Sequence, residues 1–346
     1  MNTNFLNTGS SARTPKVVFF GGGGGAEAVL RALWTLDRRV VAIIGVHDDG
    51  SDSGRIRAGL GWAPGDSRRA LVAMAAKPDA TISRLVGVRI GPHFPDREGQ
   101  SFGNTLFVAA AEAGLDMLEQ IRFMAHLLGV TGTVLPSTLA PARMVADMED
   151  GTTVHGETAV AAYPSSVRRV RLDPAQAAPT PGAPEAVLRA DCIVIGPGSV
   201  TTSLIPTLLP CASALAEAHA LRILIAPAWV ENAGDPPSAS DYVRLVAAHH
   251  PQRLFDVVLC HVPSSGGQTG GDIRRPVVAD LDSIRRLGYA AVGRDLIGPC
   301  GKHNGPKTAS VIMELLPGLS HRRRQAVAVQ GIPGDARGTT GAGSVK

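Results

Sequence analysis

Residues 16–46 read KVVFFGGGGGAEAVLRALWTLDRRVVAIIGV, and this stretch decides the fold. Val17–Phe20 is a short apolar run, and the glycines Gly21 to Gly25 follow it without a break. Ala28, Leu30, Leu33 and Leu36 then recur near helical spacing, and Val40–Val46 is a second apolar run of strand length. Strand, glycine turn, helix, strand is the opening of a doubly wound α/β sheet. Glycine lets the backbone approach a phosphate closely, and the helix start offers unpaired N–H groups to it. The run lacks the Lys-Ser or Lys-Thr of a P-loop, and the last position of a dinucleotide G-x-G-x-x-G falls on Ala26. A structural turn and a phosphate contact therefore both remain open, but a plain turn needs one or two glycines rather than five.

Beyond Val46 the periodicity fails over 47–70, HDDGSDSGRIRAGLGWAPGDSRRA, which reads as a polar functional loop. His47 is a candidate general base. Asp48 and Asp49 stand at the end of the second strand, where they could bind a hard cation with Asp52 and Asp66. Arg55, Arg57, Arg68 and Arg69 could clamp phosphate, or could simply neutralise the carboxylates of the same segment. Helical stretches follow near 67–77, 104–113 and 115–128. Asn104 either caps one of them or touches a ligand. A hairpin with Asp150-Gly151 at its turn comes next, then a Pro/Ala-rich connector over 173–185. A second α/β pattern opens at strand Cys192–Ile195 and runs into Gly196-Pro197-Gly198-Ser199, with Ser203 close behind. Hydroxyls and amides at such a strand end suit an anion, and equally suit a capped turn. Further strands are expected at Leu221–Ala226 and Phe255–Cys260, and helices at Ser240–Ala248, Asp280–Leu287 and Lys307–Leu316.

The charge is +4 over 346 residues, but its placement matters more than its sum. Residues 320–346 carry four arginines and lysines in excess over acids, residues 1–15 carry one, and the body is nearly neutral. Such a body is a poor footprint for nucleic acid. The two ends read as a disordered leader (1–15) and a disordered basic tail (320–346), around a single domain over 16–319. Cys192, Cys211, Cys260 and Cys300 form no C-x-x-C pair and read as reduced thiols. No run is long enough to span a membrane, and the expectation is a cytoplasmic protein.

Several long motifs stand in one order: VVFFGGGGG, DDGSDSGRIRAGLGWAPGDSRRALVAM, SFGNTLFVAA, VTGTVLPSTL, EDGTTVHGE and ADCIVIGPGSVTTSLIPTLL. Together they resemble the bacterial gluconeogenesis factor family, a branch of the 2-phospho-L-lactate transferase superfamily. The resemblance covers about 16–316. It implies a Rossmann-like α/β fold, doubly wound, with a mostly parallel sheet, flanking helices and a small β-hairpin insertion. It also implies a nucleotide-diphosphate ligand, a UDP-sugar such as UDP-N-acetylglucosamine, in a regulator of carbon metabolism and cell shape. The transferase branch implies instead Mg²⁺-dependent group transfer from a nucleotide-diphosphate carrier.

Carried over by motif, Gly21, Gly22, Gly23 and Gly25 approach the nucleotide, and Ser53, Gly54, Arg55, Gly65 and Arg68 lie on the phosphate side. Asn104, Gly196, Gly198, Ser199 and Ser203 complete the binding set. Asp48 and Asp49 are the metal candidates, and Asp49, Asp66 and His47 the catalytic ones. A homodimer is the expected assembly. The chain departs from the family pattern at Ser51, Asp52, Gln100, Thr201 and throughout Pro227–Asp235, where Pro227 and Glu231 stand for an Asn and a Gln. These departures imply a rewritten base or sugar side, and the group-transfer reading has Asp52 completing a metal site with Asp48 and Asp49.

Overall fold

The computed structural model describes residues 15–232, 234–263 and 274–316. The leader, apart from Pro15, and the basic tail lie outside them. Ten strands are present among the described residues: β1 Val17–Phe20, β2 Val41–Ile44, β3 Thr133–Pro136, β4 Arg143–Met148, β5 Thr153–His155, β6 Val167–Asp173, β7 Cys192–Ile195, β8 Leu221–Ile225, β9 Val257–His261 and β10 Ala290–Arg294. Seven of them form one parallel sheet in the order β10-β9-β8-β7-β1-β2-β3. The chain winds outward from β1 through β2 and β3, then returns to the other side of β1 with β7. The switch point thus lies between β1 and β7, which pair along their length from Val17↔Cys192 to Phe20↔Ile195.

Alternation along the strands builds two cores. Val17 and Phe19 face one cluster with α1 (Gly23–Leu36), while Val18 and Phe20 face the other. A sheet covered on both faces explains why β1 and β7 are uninterrupted apolar runs with no polar face. The remaining helices of the first half are α2 Ser51–Leu60, α3 Gly65–Ala73, α4 Thr81–Gly87, α5 Phe102–Glu112, α6 Met117–Leu127 and α7 Glu157–Ala162. The second half adds α8 Ala183–Leu188, α9 Ile205–Leu208, α10 Ala212–Glu217, α11 Ala239–Ala247 and α12 Leu281–Arg286. A last helix covers 305–316. Among the described residues no helix is long and apolar enough to cross a membrane, and all four cysteines are free, with only Cys300 exposed.

The architecture matches the expected doubly wound sheet, with several corrections of detail. The segment 47–70 is largely helical: α2, a polar-faced helix whose weak apolar periodicity hid it, is followed by α3, which begins two residues before the helix expected near 67–77. Helix α1 buries Ala26, Val29, Leu30, Leu33 and Trp34 and leaves Leu36 exposed, so its buried face is rotated from the one the spacing indicated. The hairpin β4–β5 turns at Asp150-Gly151, where Gly151 has φ +88°. It is extended by β6 into a three-stranded antiparallel sheet. Met144, Ala146 and Met148 of β4 join the same core as Val18 and Phe20, which seats this small sheet against the large one. The connector 173–185 is packed: the amide of Thr180 donates to the Ser137 carbonyl, and Thr180 and Ala183 are fully buried. Helix α11 is capped by Ser238, whose hydroxyl accepts from the Asp241 amide, and not by Ser240.

Candidate functional site

Parallel strands bring their C-terminal ends to one edge. The glycine run after β1 and the Gly-Pro-Gly-Ser turn after β7 therefore meet, because β1 and β7 are neighbours. A cleft opens above them at the switch point, where ligands bind in open α/β sheets. It has two chambers. The first, about 270 Å³, is lined by Gly22 to Gly25 with Ser199, Thr202 and Ser203, and by the charged groups Asp48, Asp66, Arg69, Glu157 and Glu231. The second, about 240 Å³, lies beyond Gly25 toward Trp229 and His303. Both chambers share Gly24, Gly25, Gly198 and Glu231.

The glycines divide by cause. A Cβ on Gly22 would strike the Asp66 carboxylate, and Gly23 has φ +77°, so the protein itself demands glycine at both. Gly24 meets nothing within 4 Å and Gly25 only Pro197 at 3.7 Å. Each sits in the first turn of α1, where glycine costs about 1 kcal/mol against alanine. Among the described residues no atom requires them, and the space a side chain would take belongs to both chambers. The amides of this turn have no partner inside the helix. Asp66, in the first turn of α3, accepts from the Gly23 amide at 3.2 Å and pairs with Arg69. Gly196 has φ +82°, and a Cβ on Gly198 would lie 3.4 Å from the Gly22 carbonyl oxygen, so the two loops run close together there.

The acidic residues do not assemble as the sequence indicated. Asp48 lines the first chamber, and one of its oxygens accepts from the Gly50 amide at 2.9 Å. Asp49 points elsewhere. Its carboxylate accepts from the amides of Glu157 and Thr158 and the Thr158 hydroxyl at 3.0, 2.8 and 2.7 Å, capping α7. Asp52 is buried and accepts from the Ser101 amide and the Asn104 side chain, both at 2.9 Å. Asp48, Asp49 and Asp52 thus build no joint metal site, and among the described residues no group of three His, Cys, Asp or Glu is placed to hold an ion. His47 is buried. Its Nε2 lies 2.8 Å from the Thr202 carbonyl, so it donates there, and burial depresses its pKa. A neutral ring tied this way steadies the turn after β7 and is poorly placed as a base.

The phosphate-side arginines are corrected likewise. Arg68 donates from Nε to Asn104 at 3.0 Å and from Nη1 to the Val86 carbonyl, inside a buried Asp52–Asn104–Arg68 chain. Arg55 is exposed on α2 at 3.5 Å from Asp52, and Arg57 donates to the carbonyls of Val46 and Ala142. Ser53 and Gly54 lie within α2, Ser53 against Gly65 and Gly54 against the Asp49 carbonyl. The guanidinium that lines the first chamber is that of Arg69.

Ser199 and Ser203 line the cleft, and Ser199 accepts from Asn232 at 2.8 Å. The divergent residues Thr201 and Asp235 meet each other, the Thr201 hydroxyl donating to Asp235 at 2.8 Å. Asp235 also accepts from the Asn232 amide at 3.0 Å, so the rewritten segment is fastened to the turn after β7 by its own substitutions.

Glu157, Glu231, Asn232, Trp229 and His303 enter the site without having been singled out as ligand groups. Burial, with Asp48 and Asp49 adding to it, pushes the Glu157 carboxyl up to about 8. Burial, with Asp235 beside it, pushes Glu231 upward too. The only sequence signals for these two were their positions in EDGTTVHGE and in the divergent segment.

A family model described as 2-phospho-L-lactate transferase CofD matches residues 17–297. A putative gluconeogenesis factor of Nostoc is 33% identical over 89% of this chain and 70% of its own. The gluconeogenesis factor of Halalkalibacterium halodurans is 32% identical over 88% of this chain and 97% of its own. A crystal structure of a protein from Bacillus halodurans superposes with a TM-score of 0.81 at 30% identity, covering 87% of this chain and 100% of that one.

Proposed function

The chain belongs to the gluconeogenesis factors of the CofD (2-phospho-L-lactate transferase) family, and from that premise we propose that it binds a nucleotide-diphosphate ligand, a nucleotide sugar such as UDP-N-acetylglucosamine, as a regulator of carbon metabolism and cell shape. One observation carries this reading. Gly24 and Gly25 cost helix stability, answer no steric need of the protein, and border both chambers of the cleft. Their unpartnered amides at the start of a 14-residue helix supply the hydrogen bonds and positive potential that a diphosphate requires. Each chamber alone is small. Joined, they fall within the roughly 300–1,000 Å³ of small-ligand sites, which favours one ligand that spans both.

Titration calorimetry of the full chain with UDP-N-acetylglucosamine, UDP and inorganic pyrophosphate, with and without Mg²⁺, tests the reading. Saturable binding of the nucleotides is expected. Absence of heat with all three, with or without Mg²⁺, overturns it.

Group transfer is the second reading, and Glu157 is the observation that favours it. A carboxyl near pH 8 that faces the cleft is protonated at neutral pH and able to donate a proton to a leaving oxygen.

A further inference from the structure

The second chamber differs in chemistry from the first. Pro197, Pro227, Ala228 and Trp229 line it together with the charged groups of Glu231, Arg274 and Lys302. The indole is fixed, its Nε1 donating to the Gly301 carbonyl at 2.7 Å and the Arg274 guanidinium lying over its ring at 4.7 Å. His303 lines the same chamber, is 8% exposed, and among the described residues has no hydrogen-bond partner on either ring nitrogen. A buried polar atom left unmatched costs about 1–3 kcal/mol, so an imidazole with two of them in a cavity wall marks a place where a ligand group completes the bonding. Burial, with His261 adding to it, holds His303 down at about 4. At neutral pH it is therefore uncharged and offers one N–H and one lone pair.

The first chamber offers the reverse. Asp48, Asp66 and Glu157 present oxygens that suit the several hydroxyls of a sugar, and no aromatic ring lines it. The seam between the chambers is the Gly24–Gly25 turn.

We infer that the ligand lies in one direction only, its planar nucleobase against Trp229 with its edge read by His303, its diphosphate across Gly24 and Gly25, and its sugar against Asp48, Asp66 and Glu157. This rests on the nucleotide-diphosphate reading and adds the polarity of the bound molecule. A nucleobase edge carries donors and acceptors in one plane, and a neutral imidazole can meet either kind with one ring nitrogen, since its N–H and its lone pair point apart. Stacking on a fixed indole is worth about 1–3 kcal/mol and works for any base. His303 is thus the specificity-determining residue for the base, Trp229 supplies affinity that any base can use, and Glu157 is the specificity-determining residue for the sugar.

Calorimetry with three probes separates the ends: UDP-N-acetylglucosamine, UDP and inorganic pyrophosphate, each against the full chain. His303→Leu and Trp229→Leu are expected to weaken UDP and UDP-N-acetylglucosamine alike, by about tenfold, and to leave pyrophosphate unchanged. Glu157→Ala is expected to weaken UDP-N-acetylglucosamine and leave UDP unchanged. The inference is overturned if Glu157→Ala weakens UDP while His303→Leu and Trp229→Leu act only on the sugar-bearing probe, which is the opposite polarity. It is equally overturned if His303→Leu and Trp229→Leu, both folded by thermal melting, bind UDP as the parent does. Failure of the parent to bind any of the three probes removes the underlying reading as well, so the two failures are distinguishable.

Discussion

Gly24 and Gly25 carry the functional argument because two independent demands on them conflict. Helix propensity asks for alanine, and an open cleft asks for no side chain. Gly24→Ala should therefore raise stability by up to about 1 kcal/mol and weaken nucleotide binding at the same time. Thermal melting and calorimetry on one preparation read both signs, and a variant that melts higher and still binds as the parent does removes the functional reading of the run. Gly23 is the internal control, since its φ of +77° makes alanine there destabilising. At this scale the sequence was legible where chemistry is local. Gly22 to Gly25, Asp48, Asp66, Gly198, Ser199 and Ser203 all border the cleft, while Gly21 packs against the Phe19 ring. It was not legible where a side chain's role depends on what packs opposite. Asp49, Asp52, Arg68 and Asn104 carry charge or hydrogen-bonding capacity that suits a ligand, and the fold engages each of them internally.

Helices α2 and α3 show the same division one scale up. The residues of α2 are polar, so no apolar stripe marked it, while α3 was expected only from residue 67 onward; both are held by tertiary contacts. Arg57 of α2 reaches the carbonyls of Val46 and Ala142, and Arg68 of α3 joins α5 through Asn104. Strands were easier, since β1 and β7 are buried on both faces and read as unbroken apolar runs. The position of α7 depends on one group outside it. Asp49 satisfies the two amides at its start, so Asp49→Ala should lower stability by about 1–3 kcal/mol through loss of that cap. Denaturant titration with and without Mg²⁺ checks this. A destabilisation that appears only when Mg²⁺ is present would return Asp49 to the role of a metal ligand.

Across the whole molecule the half-buried Glu157 and the buried His303 have opposed pH dependences. Glu157 is raised from 4.5 to about 8, with Asp48 and Asp49 pushing it upward beyond burial and Arg57 and Arg69 pulling it back; His47 lies 3.8 Å away. The folded state holds this proton where the unfolded state has lost it, so its contribution is full below about 4.5 and is lost as pH rises through 8. His303 is lowered from 6.5 to about 4, so the unfolded state takes the proton first and stability falls as pH drops through that window. Relative to the parent, Glu157→Gln should gain melting temperature as pH is raised from about 5 to about 9. His303→Leu should gain as pH is lowered from about 7 to about 4. A difference that stays constant across either range refutes the assignment for that residue.

The sequence by itself determined the elements and their order: apolar runs of strand length, glycine at strand ends and one family-wide string of motifs suffice for a doubly wound sheet. It also placed glycines in the first turn of a helix, a local fact that motivates the proposed anion site. Only the tertiary structure decided which residues share that site. The turns after β1 and β7 are about 175 positions apart, and they meet because β7 returns to pair with β1. The same pairing brings Glu231 from beyond β8 and Glu157 from the small sheet to one cleft. It turns Asp49 and Asp52 away, since a carboxylate's role is set by the donors packed against it, and those donors come from other parts of the chain.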